Sequence, residues 1–246
     1  FRFLMDHVVG FTDVVDTDRF AESTPDMVDA ILTEAAKMSE EILAPLNRNG
    51  DLHPAHLENG VVRTSPGFAD GWNAIAQGGW LGMSGDPEYG GMGLPFSVQN
   101  AVNEMMGGAC LSLQLNPLMS QGQIEALEHH GSDAIKELYL PKLISGEWTG
   151  TMNLTEPQAG GDVGALSSTA EDNGDGTYSV TGQKIYISWG DHDVAANVCH
   201  LVLARLPDGA AGTKGISLFL VPKYLPDEAG NPGVANTLKV VSLEHK

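Results

Sequence analysis

Apolar residues recur at three- and four-residue steps through the first part of the chain, which is the spacing of one face of an α-helix. The segment that begins at Pro25 shows the pattern most fully and is predicted to be an amphipathic helix that ends near Pro45. Ser23 and Thr24 precede it as candidate caps, and Pro25 suits its first turn, where a missing N–H costs little. The predicted apolar face comprises Met27, Ala30, Ile31, Ala35, Met38, Ile42 and Leu46.

Four further segments have the same helical period and are separated by glycine-rich breaks, one of them at Gly107-Gly108. They are 66–77, 95–106, 111–130 and 132–144, and Ser132 is placed to cap the last of them. We therefore predict that residues 1–146 form an N-terminal all-α helical domain.

After Gly146 the chain changes to short runs rich in β-branched and aromatic residues, bounded by turn sequences such as DNGDGT and PDGAAGTKG. Because strands that follow one another without intervening helices usually pair antiparallel, residues 147–246 are predicted to form an antiparallel β-sandwich or barrel domain. The fold class is therefore a multidomain α+β protein. The predicted strands are 148–154, 167–170, 178–189, 198–205, 216–221 and 237–243.

The composition suits folded domains and argues against some classes of function. Of the 246 residues 42% are hydrophobic, whereas the formal net charge of −19 and the lack of a basic patch argue against nucleic-acid binding. A polyanionic ligand would have to be held locally, by backbone N–H groups and a few basic side chains. Apolar runs are too short to span a membrane, and the two cysteines have neither a disulfide-framework nor a zinc-site spacing. We expect a cytoplasmic protein with no membrane partner.

The stretch TMNLTEPQAGGDV, residues 151–163, ends a predicted strand at Glu156-Pro157 and continues into Gly160-Gly161. An ordinary turn would explain it, since proline cannot donate to a sheet and glycine turns the chain. A ligand loop would explain it as well, because the N–H groups of a glycine turn can closely approach a pyrophosphate or a flat ring, and Thr155 offers a hydroxyl.

The stretch KIYISWGDHD, residues 184–193, favours the ligand interpretation. Tyr186 and Ser188 are two residues apart on a predicted strand, hence on one face of the sheet. An aromatic ring beside a hydroxyl suits a flat heterocycle, although an exposed strand face that carries a tyrosine is the alternative.

The helical half followed by LTEPQAG-GD, KIYISWG, HLVLARLPD, GTKGISLFLVPK and LEHK resembles the acyl-CoA dehydrogenase family over essentially the whole chain. The resemblance implies FAD as the cofactor, an acyl-CoA thioester as the substrate, and electron-transfer flavoprotein as the electron acceptor. It implies an N-terminal helical domain, a middle β domain that binds FAD and acyl-CoA, and a C-terminal helical bundle, of which the bundle is absent from this sequence. Family members are usually homodimers or homotetramers.

The same resemblance implies cofactor contacts in the first motif. Met152, Leu154 and Thr155 match the strand that lines the flavin ring, with Thr155 hydrogen-bonded to its pyrimidine side. Gly160 and Gly161 match the turn near the flavin pyrophosphate and the pantetheine of the substrate. Many members carry serine at the position of Gly161, so only a backbone contact is implied there.

The second motif and two other segments complete the implied site. Tyr186, where tryptophan is common in the family, would cover one face of the ring. Ile187 and Ser188 would place an N–H and a hydroxyl at the O4/N5 edge, and Thr213 would touch the CoA arm. Three residues match the helix that lines the acyl tail, although plain bundle packing explains each equally well: Gln114, Leu118 and Gly122.

No residue of this chain is predicted to be catalytic, because the resemblance assigns the general-base glutamate to the bundle, beyond Lys246. The 246 residues are therefore expected to be an inactive fragment, and Glu156 matches a structural position. Two alternatives stay open: a non-catalytic module that binds acyl-CoA or flavin, and an acyl-CoA oxidase, in which O2 reoxidises the flavin.

Two histidine-containing stretches carry weaker signals, and no metal site is predicted. His129-His130 would point about 100° apart on a helix and are expected to be a solvated helix end. Asp191-His192-Asp193 is expected to be a surface turn.

Overall fold

Seven α-helices and nine β-strands form the part of the chain that the structure, a computed structural model, describes, residues 1–244. The last two residues of the LEHK phrase, 245 and 246, lie outside the described residues. The helices are α1 (Arg2–Leu4), α2 (Phe11–Val15), α3 (Pro25–Met38), α4 (Ala44–Leu52), α5 (Phe68–Gln77), α6 (Phe96–His130) and α7 (Asp133–Ile144). The strands are β1 (His56–Glu58), β2 (Val61–Arg63), β3 (Trp148–Asn153), β4 (Thr169–Asp172), β5 (Tyr178–Thr181), β6 (Asn197–Arg205), β7 (Ile216–Pro222), β8 (Tyr224–Pro226) and β9 (Pro232–Ala235).

The predicted order, a helical region followed by a β-sheet region, is confirmed. Within residues 1–244, no helix is both long enough and apolar enough to cross a membrane.

The helix that begins at Pro25 continues past Pro45 to Leu52, so its predicted end is wrong. A π-helical turn, Ser39–Leu43, joins α3 to α4, and Ala44 donates its N–H to Ser39, five residues back. This wider turn shifts the hydrogen-bond register just before the proline, which has no N–H to place. Thr24 caps the helix as predicted, accepting from the N–H of Met27 at 3.4 Å.

The predicted apolar face of this helix is partly wrong. Met27, Ala30 and Ile42 are exposed. The sequence of this helix contains two apolar stripes whose positions differ by one residue. The π turn adds one residue to a helical turn, which rotates the second half of the helix and changes the side chains that it buries. The buried stripe is Val28, Leu32, Ala35, Met38 and Leu43.

Helix α6 is kinked at Cys110, whose φ of −152° and ψ of 85° are not helical. The break predicted at Gly107-Gly108 therefore lies two residues further on. The arm after the kink, residues 111–130, runs beside α7, whose N-cap Ser132 accepts from the N–H of Ile135 as predicted.

The helical half also holds a β-hairpin, so it is not all-α as predicted. Strands β1 and β2 pair antiparallel across a turn in which Asn59 and Gly60 have φ of 51° and 79°. Both values are left-handed, as the two central residues of a tight hairpin turn require, and Asn-Gly is the commonest pair for that turn.

The main sheet is mixed, which corrects the predicted antiparallel pairing. Strand β6 runs parallel to β3, from Trp148 opposite Asn197 to Asn153 opposite Val202, and antiparallel to β7. Strand β4 joins the β3 edge of β6 opposite Arg205 and forms a hairpin with β5. Parallel pairing of β3 with β6 is possible because residues 154–196 form the long crossover that such a pair needs.

Two strand predictions are wrong in extent. The strand predicted at 178–189 ends at Thr181, and within the described residues the segment 237–243 has no strand partner. The unpredicted strands β8 and β9 form a hairpin that begins just after β7. Pro226 and Pro232, which argue against strands in a sequence, lie at its edges, where a missing donor is tolerated.

The buried core crosses the predicted domain boundary. One cluster fills the helical half and is covered by Trp189, Val194 and Ala195 from the crossover segment. A second joins the end of α6 and α7 to Trp148 of β3 and Cys199 of β6. The sheet is therefore anchored directly on α6 and α7.

Candidate functional site

Strand β3 is positioned by contacts on alternate residues. Trp148 is fully buried and meets Tyr139 of α7 edge-on, with ring centroids 5.5 Å apart. Gly150 donates its N–H to Ser120 Oγ of α6 at 2.9 Å. Met152 lies two residues further along the same face of β3, beyond the part that α6 and α7 bury, and its side chain is exposed. The end of β3 therefore presents an apolar side chain beside α6.

A cavity of about 140 Å³ lies between β3 and the second arm of α6. It brings together three of the residues predicted from the sequence, Leu118 and Gly122 of α6 and Met152 of β3. Gln114, predicted on the same helix face, is buried one turn nearer the kink and does not line the cavity. The full lining is Leu118, Met119, Gly122, Gln123, Thr151, Met152 and Leu201.

The chain after β3 makes a tight turn that Glu156 fixes. The N–H and C=O of Glu156 bond with those of Ala159, each at 3.0 Å. Its carboxylate accepts from the N–H of Ser167 at 2.7 Å, from Gln158 Nε2 at 2.6 Å and from Lys184 Nζ at 2.8 Å, and it accepts further bonds from Ser168. Burial alone would raise the pKa of Glu156, but these donors hold the pKa well below its ordinary value.

The two glycines that follow this turn face open space. Gly160 and Gly161 are exposed, and a Cβ added to either would meet no atom within 4 Å. In the part of the chain that the structure describes, neither N–H donates a hydrogen bond. Their backbone is therefore accessible to a ligand that no side chain obstructs.

Residues 184–188 run beside the end of β3. Lys184 Nζ bonds the carbonyl of Leu154 at 3.1 Å, and the N–H of Ile185 bonds the carbonyl of Thr155 at 2.9 Å. At the other end, Thr151 Oγ1 donates to the carbonyl of Ser188 at 2.8 Å. The two motifs singled out from the sequence are thus held side by side at both ends of this segment.

The backbone of this segment is not a strand, so the shared sheet face predicted for Tyr186 and Ser188 is wrong. Tyr186 has a φ of 56°, and Trp189 has a φ of 53°, both in the left-handed region that ends an extended run. Tyr186 nevertheless presents its ring to solvent, 57% exposed, while Ile187 and Ser188 are half-buried.

Thr213 lies on a second loop that approaches the glycine turn. A Cβ on Gly164 would lie 3.6 Å from the backbone nitrogen of Thr213. Arg205 ties the two loops together, because its guanidinium donates to the carbonyls of Gly164 and Leu166 on one side and of Ala210 on the other. Thr213 itself is exposed.

The Asp191-His192-Asp193 stretch is not the surface turn predicted from the sequence, since Asp191 and His192 are buried. Burial lowers the pKa of His192 to about 4 despite the nearby Asp191 carboxylate, so the ring is neutral. Its Nδ1 accepts from the N–H of Val194 at 3.3 Å, and its Nε2 lies 2.7 Å from Thr149 Oγ1. His192 is therefore a packed support for β3.

No group of three His, Cys, Asp or Glu side chains within residues 1–244 is arranged to hold a metal ion. Cys110 and Cys199 are free and buried, and burial raises the pKa of Cys199. His129 and His130 are exposed at the end of α6, as predicted.

Several residues that build the site are not identified from the sequence. Lys184 and Arg205 hold its loops, Trp189 connects it to α6, and Gln123 lines its cavity. The sequence does contain one signal for Lys184 and Arg205. Each is a basic residue within a largely apolar run, in a chain with 13 basic and 32 acidic residues, and a basic side chain that is buried needs a hydrogen-bonding partner. The partner itself, 28 positions away for Lys184, is fixed only by the fold.

Two family models match the chain in succession. The one described as acyl-CoA dehydrogenase, N-terminal domain, matches residues 27–147, and the one described as acyl-CoA dehydrogenase, middle domain, matches residues 151–239.

Curated relatives match nearly the whole chain. The 3-methylmercaptopropionyl-CoA dehydrogenase of Ruegeria pomeroyi is 45% identical over 99% of this chain and 42% of its own length. A butyryl-CoA dehydrogenase of Syntrophomonas wolfei is 36% identical over 90% of this chain and 37% of its own length. The chain thus spans less than half the length of these relatives.

Solved structures share the fold. A structure described as the glutaryl-coenzyme A dehydrogenase glutaryl-CoA complex superposes with a TM-score of 0.67 at 26% identity, over 81% of this chain and 47% of that one. A chain from a structure described as an electron transferring flavoprotein of Acidaminococcus fermentans gives a TM-score of 0.66 at 26% identity, over 82% of this chain and 49% of that one.

Proposed function

Because this chain belongs to the acyl-CoA dehydrogenase family, we propose that the protein uses FAD to oxidise an acyl-CoA thioester between Cα and Cβ to a trans-2-enoyl-CoA. The observation that carries the proposal is the meeting of the end of β3 and the segment of Tyr186 at one edge of a cavity bounded by α6. The bonded residues of the two are 30 or more positions apart in the sequence, and the glycine turn follows β3 with its backbone open.

The residues at this edge fit a flavin. Met152 and Leu154 would line the ring and Tyr186 would cover one face of it, an environment that suits a flat heterocycle. In the described chain the hydroxyls of Thr155 and Ser188 and the N–H of Ile187 form no hydrogen bond, so they are available to the polar edge of the ring. 

The phosphates would be held without a basic patch. The open N–H groups of Gly160 and Gly161 would approach the pyrophosphate, and Thr213 would meet the CoA arm on the neighbouring loop. Local backbone donors of this kind are what a chain of net charge −19 requires for an anionic ligand.

When bound, FAD supplies the acceptor for the β-hydrogen, which leaves as hydride. The residues of this chain would orient the two reactants. The cavity wall of Leu118, Met119, Met152 and Leu201 is apolar, so an acyl chain bound there would pack against apolar side chains.

Glu156 is assigned no part in removing the Cα proton. A general base needs a free lone pair and a pKa raised toward that of the substrate proton. The Glu156 carboxylate is instead surrounded by donors that lower its pKa, and its side chain is buried beneath the turn. The proposal therefore assigns the base to none of the carboxylates described above.

A short acyl group is the proposed substrate class, and electron-transfer flavoprotein is the proposed electron acceptor. The relatives named for butyryl-CoA and 3-methylmercaptopropionyl-CoA support a short chain. The structural likeness to the Acidaminococcus chain supports the acceptor.

Anaerobic titration of the full-length natural protein with short, medium, branched and sulfur-containing acyl-CoAs tests the proposal. The expected result is bleaching of the oxidised flavin absorbance by a short acyl-CoA, with the 2-enoyl-CoA identified by mass. In a separate aerobic assay with the same acyl-CoA, reduction of electron-transfer flavoprotein with little oxygen uptake would identify a dehydrogenase, and the reverse an oxidase. A protein that binds acyl-CoA without bleaching the flavin would overturn the proposal in favour of a non-catalytic module.

A further inference from the structure

Two loops lie side by side next to the proposed cofactor site. The glycine loop, residues 154–168, connects β3 to β4, and the Thr213 loop, residues 206–215, connects β6 to β7. They approach each other where each has a glycine, since a Cβ on Gly164 would lie 3.6 Å from Gly212 Cα and from the nitrogen of Thr213. Because glycine has no side chain, these two residues cannot interlock the loops at this point.

Arg205, the last residue of β6, joins the two loops. Its Nε and Nη2 donate to the carbonyls of Leu166 and Gly164 in the glycine loop. Its Nη1 donates to the carbonyl of Ala210 in the Thr213 loop at 3.2 Å. Within residues 1–244, no other hydrogen bond joins these loops, so their relative position depends on this one side chain.

The Thr213 loop is compact, so a bond at Ala210 also fixes the position of Thr213. The N–H of Gly209 donates to the carbonyl of Leu206 at 3.0 Å, which closes the start of the loop. The carbonyl of Ala210 lies against Gly215 at the other end, where an added Cβ would be 1.8 Å from that oxygen. Thr213 lies between these two points and is exposed.

The geometry of the guanidinium suits this link better than its charge alone. It is planar and carries five N–H donors, so it can bond carbonyls on two sides at once. All three acceptors are neutral carbonyl oxygens, and among the described residues Arg205 forms no ion pair with a carboxylate. Lysine would keep the charge, but its compact ammonium on a flexible stem cannot reproduce three fixed bonds.

We propose that Arg205 is a positioning residue that sets the Thr213 loop beside the glycine loop, so that the two together hold the phosphate-bearing arm of acyl-CoA. The proposal rests on the proposed function and names a residue that serves substrate binding within it. The residues that line the cavity proposed for the acyl chain belong to neither loop. Loss of Arg205 is therefore expected to weaken the binding of acyl-CoA and to leave the oxidation step unchanged.

The test compares butanoyl-CoA with S-butanoyl-pantetheine, which carries the same acyl group without the nucleotide, on the full-length FAD-loaded protein. Arg205→Met is expected to raise KM for butanoyl-CoA about tenfold with kcat unchanged, the pattern of an interaction that binds ground state and transition state equally. The kcat/KM for S-butanoyl-pantetheine is expected to stay at the wild-type value. Arg205→Lys is expected to behave as Arg205→Met does, since the planar fork and not the charge forms the link.

Thr213→Ala tests the other end of the link at an exposed position. It is expected to raise KM for butanoyl-CoA about threefold, as the loss of one hydrogen bond implies. This effect should be absent from the double variant with Arg205→Met, because the two residues act through one loop. In Arg205→Met the amides of 206–215 should also exchange with solvent faster than in the wild type.

Arg63→Met is the matched control. Arg63 is an exposed arginine of β2 whose partners are the carboxylates of Glu58 and Asp193, so both substrates should keep their wild-type KM in this variant.

The role of Arg205 would be overturned by an unchanged KM for butanoyl-CoA in Arg205→Met, by a wild-type KM in Arg205→Lys, or by equal losses for the two substrates. If the Arg205 variants do not fold, an unchanged KM in Thr213→Ala overturns it instead. In each of these cases butanoyl-CoA still bleaches the flavin, whereas failure of the proposed function would show as no bleaching by any acyl-CoA.

Discussion

At the scale of single residues, Glu156 and Lys184 hold the turn that leads to Gly160-Gly161. Their side chains are 1% and 8% exposed and lie 2.8 Å apart. Removing one member of a buried, hydrogen-bonded pair leaves the other uncompensated, which costs about 3–5 kcal/mol.

Glu156→Gln is therefore expected to lower the free energy of unfolding by about 3 kcal/mol, measured by urea denaturation near neutral pH. Because folding lowers the pKa of Glu156 below its ordinary value of 4.5, its stabilisation is present above that pH and is lost as the pH falls below it. The variant should accordingly show a shallower loss of stability on acidification than the wild type. Glu171→Gln, an exposed change of the same kind on β4, is the control and should behave as wild type.

Gly150 is the second residue with a measurable role, because it allows α6 and β3 to approach each other. A Cβ there would lie 1.9 Å from Gln123 Oε1 and 2.9 Å from Gln123 Cβ. Gly150→Ala is expected to cost about 1–3 kcal/mol through overpacking, measured as the free energy of unfolding. Gln123→Ala in the same chain should recover most of that loss, whereas additive effects in the double variant would contradict the contact. Gly160→Ala, which meets open space, should leave the stability unchanged.

At the scale of elements, the segment 184–190 is connected to the kink of α6 by Trp189. Its indole Nε1 donates to the carbonyl of Ser112 at 2.8 Å, and its ring stacks on Phe68 with a centroid separation of 6.2 Å. The kink at Cys110 thereby sets the position of the segment that carries Tyr186.

Trp189→Phe keeps an aromatic ring but removes this hydrogen bond, for an expected loss of about 1 kcal/mol. Hydrogen exchange of the amides in 184–190 should quicken, since the segment opens more readily when it is less well anchored. Trp80→Phe, a half-buried tryptophan elsewhere in the same core cluster, is the control. Equal exchange in this segment for the two variants would show that Trp189 does not anchor it.

The elements also show what local sequence can and cannot predict. Helices α5, α6 and α7 and the central strand β6 follow from periodicity to within a few residues, because each buries one long apolar face. The Asn59-Gly60 pair is a sufficient local signal for its hairpin, whereas no local signal marks the end of β5 at Thr181. The segment that contains the left-handed Tyr186 is bonded to Thr151 and Leu154, which lie 30 or more residues earlier than their partners, so no local pattern reveals its position.

At the scale of the whole molecule, one buried carboxylate joins the helical half to the sheet. Asp191 accepts from the N–H of Val62 in β2 at 3.2 Å and from Lys223 Nζ after β7 at 2.5 Å. Asp193 accepts hydrogen bonds from the N–H and the hydroxyl of Thr64, which directly follows β2.

Asp191→Asn is expected to loosen this junction and to leave Lys223 without its charged partner, at a cost of about 3 kcal/mol. The hairpin of β1 and β2 should then be cleaved by protease before the rest of the protein unfolds. Asp193→Asn, where the side chain is more exposed, should have a smaller effect. Wild-type resistance of the hairpin in Asp191→Asn would contradict the role of the junction.

The order of the two halves could be predicted from the sequence. The two stretches singled out there lie side by side, and their contact with a ligand stays a prediction. The parallel pairing of β3 with β6 could not be predicted, because it depends on how residues 154–196 cross over the sheet. The cavity and the buried, unpaired amide of Gln123 arise only where α6 lies against β3, and His192 is buried against Thr149 of β3. Contacts of this range have no local pattern to reveal them.

The proposed function requires FAD to lie at the end of β3, against Met152–Thr155 and the segment 186–188. A crystal structure of the full-length protein with FAD and an unreactive acyl-CoA analogue tests it most directly. We expect the flavin ring in contact with Thr155 and Tyr186, the pyrophosphate at the N–H groups of Gly160 and Gly161, and the acyl chain in the cavity between α6 and β3. A flavin ring that contacts none of these residues would contradict it.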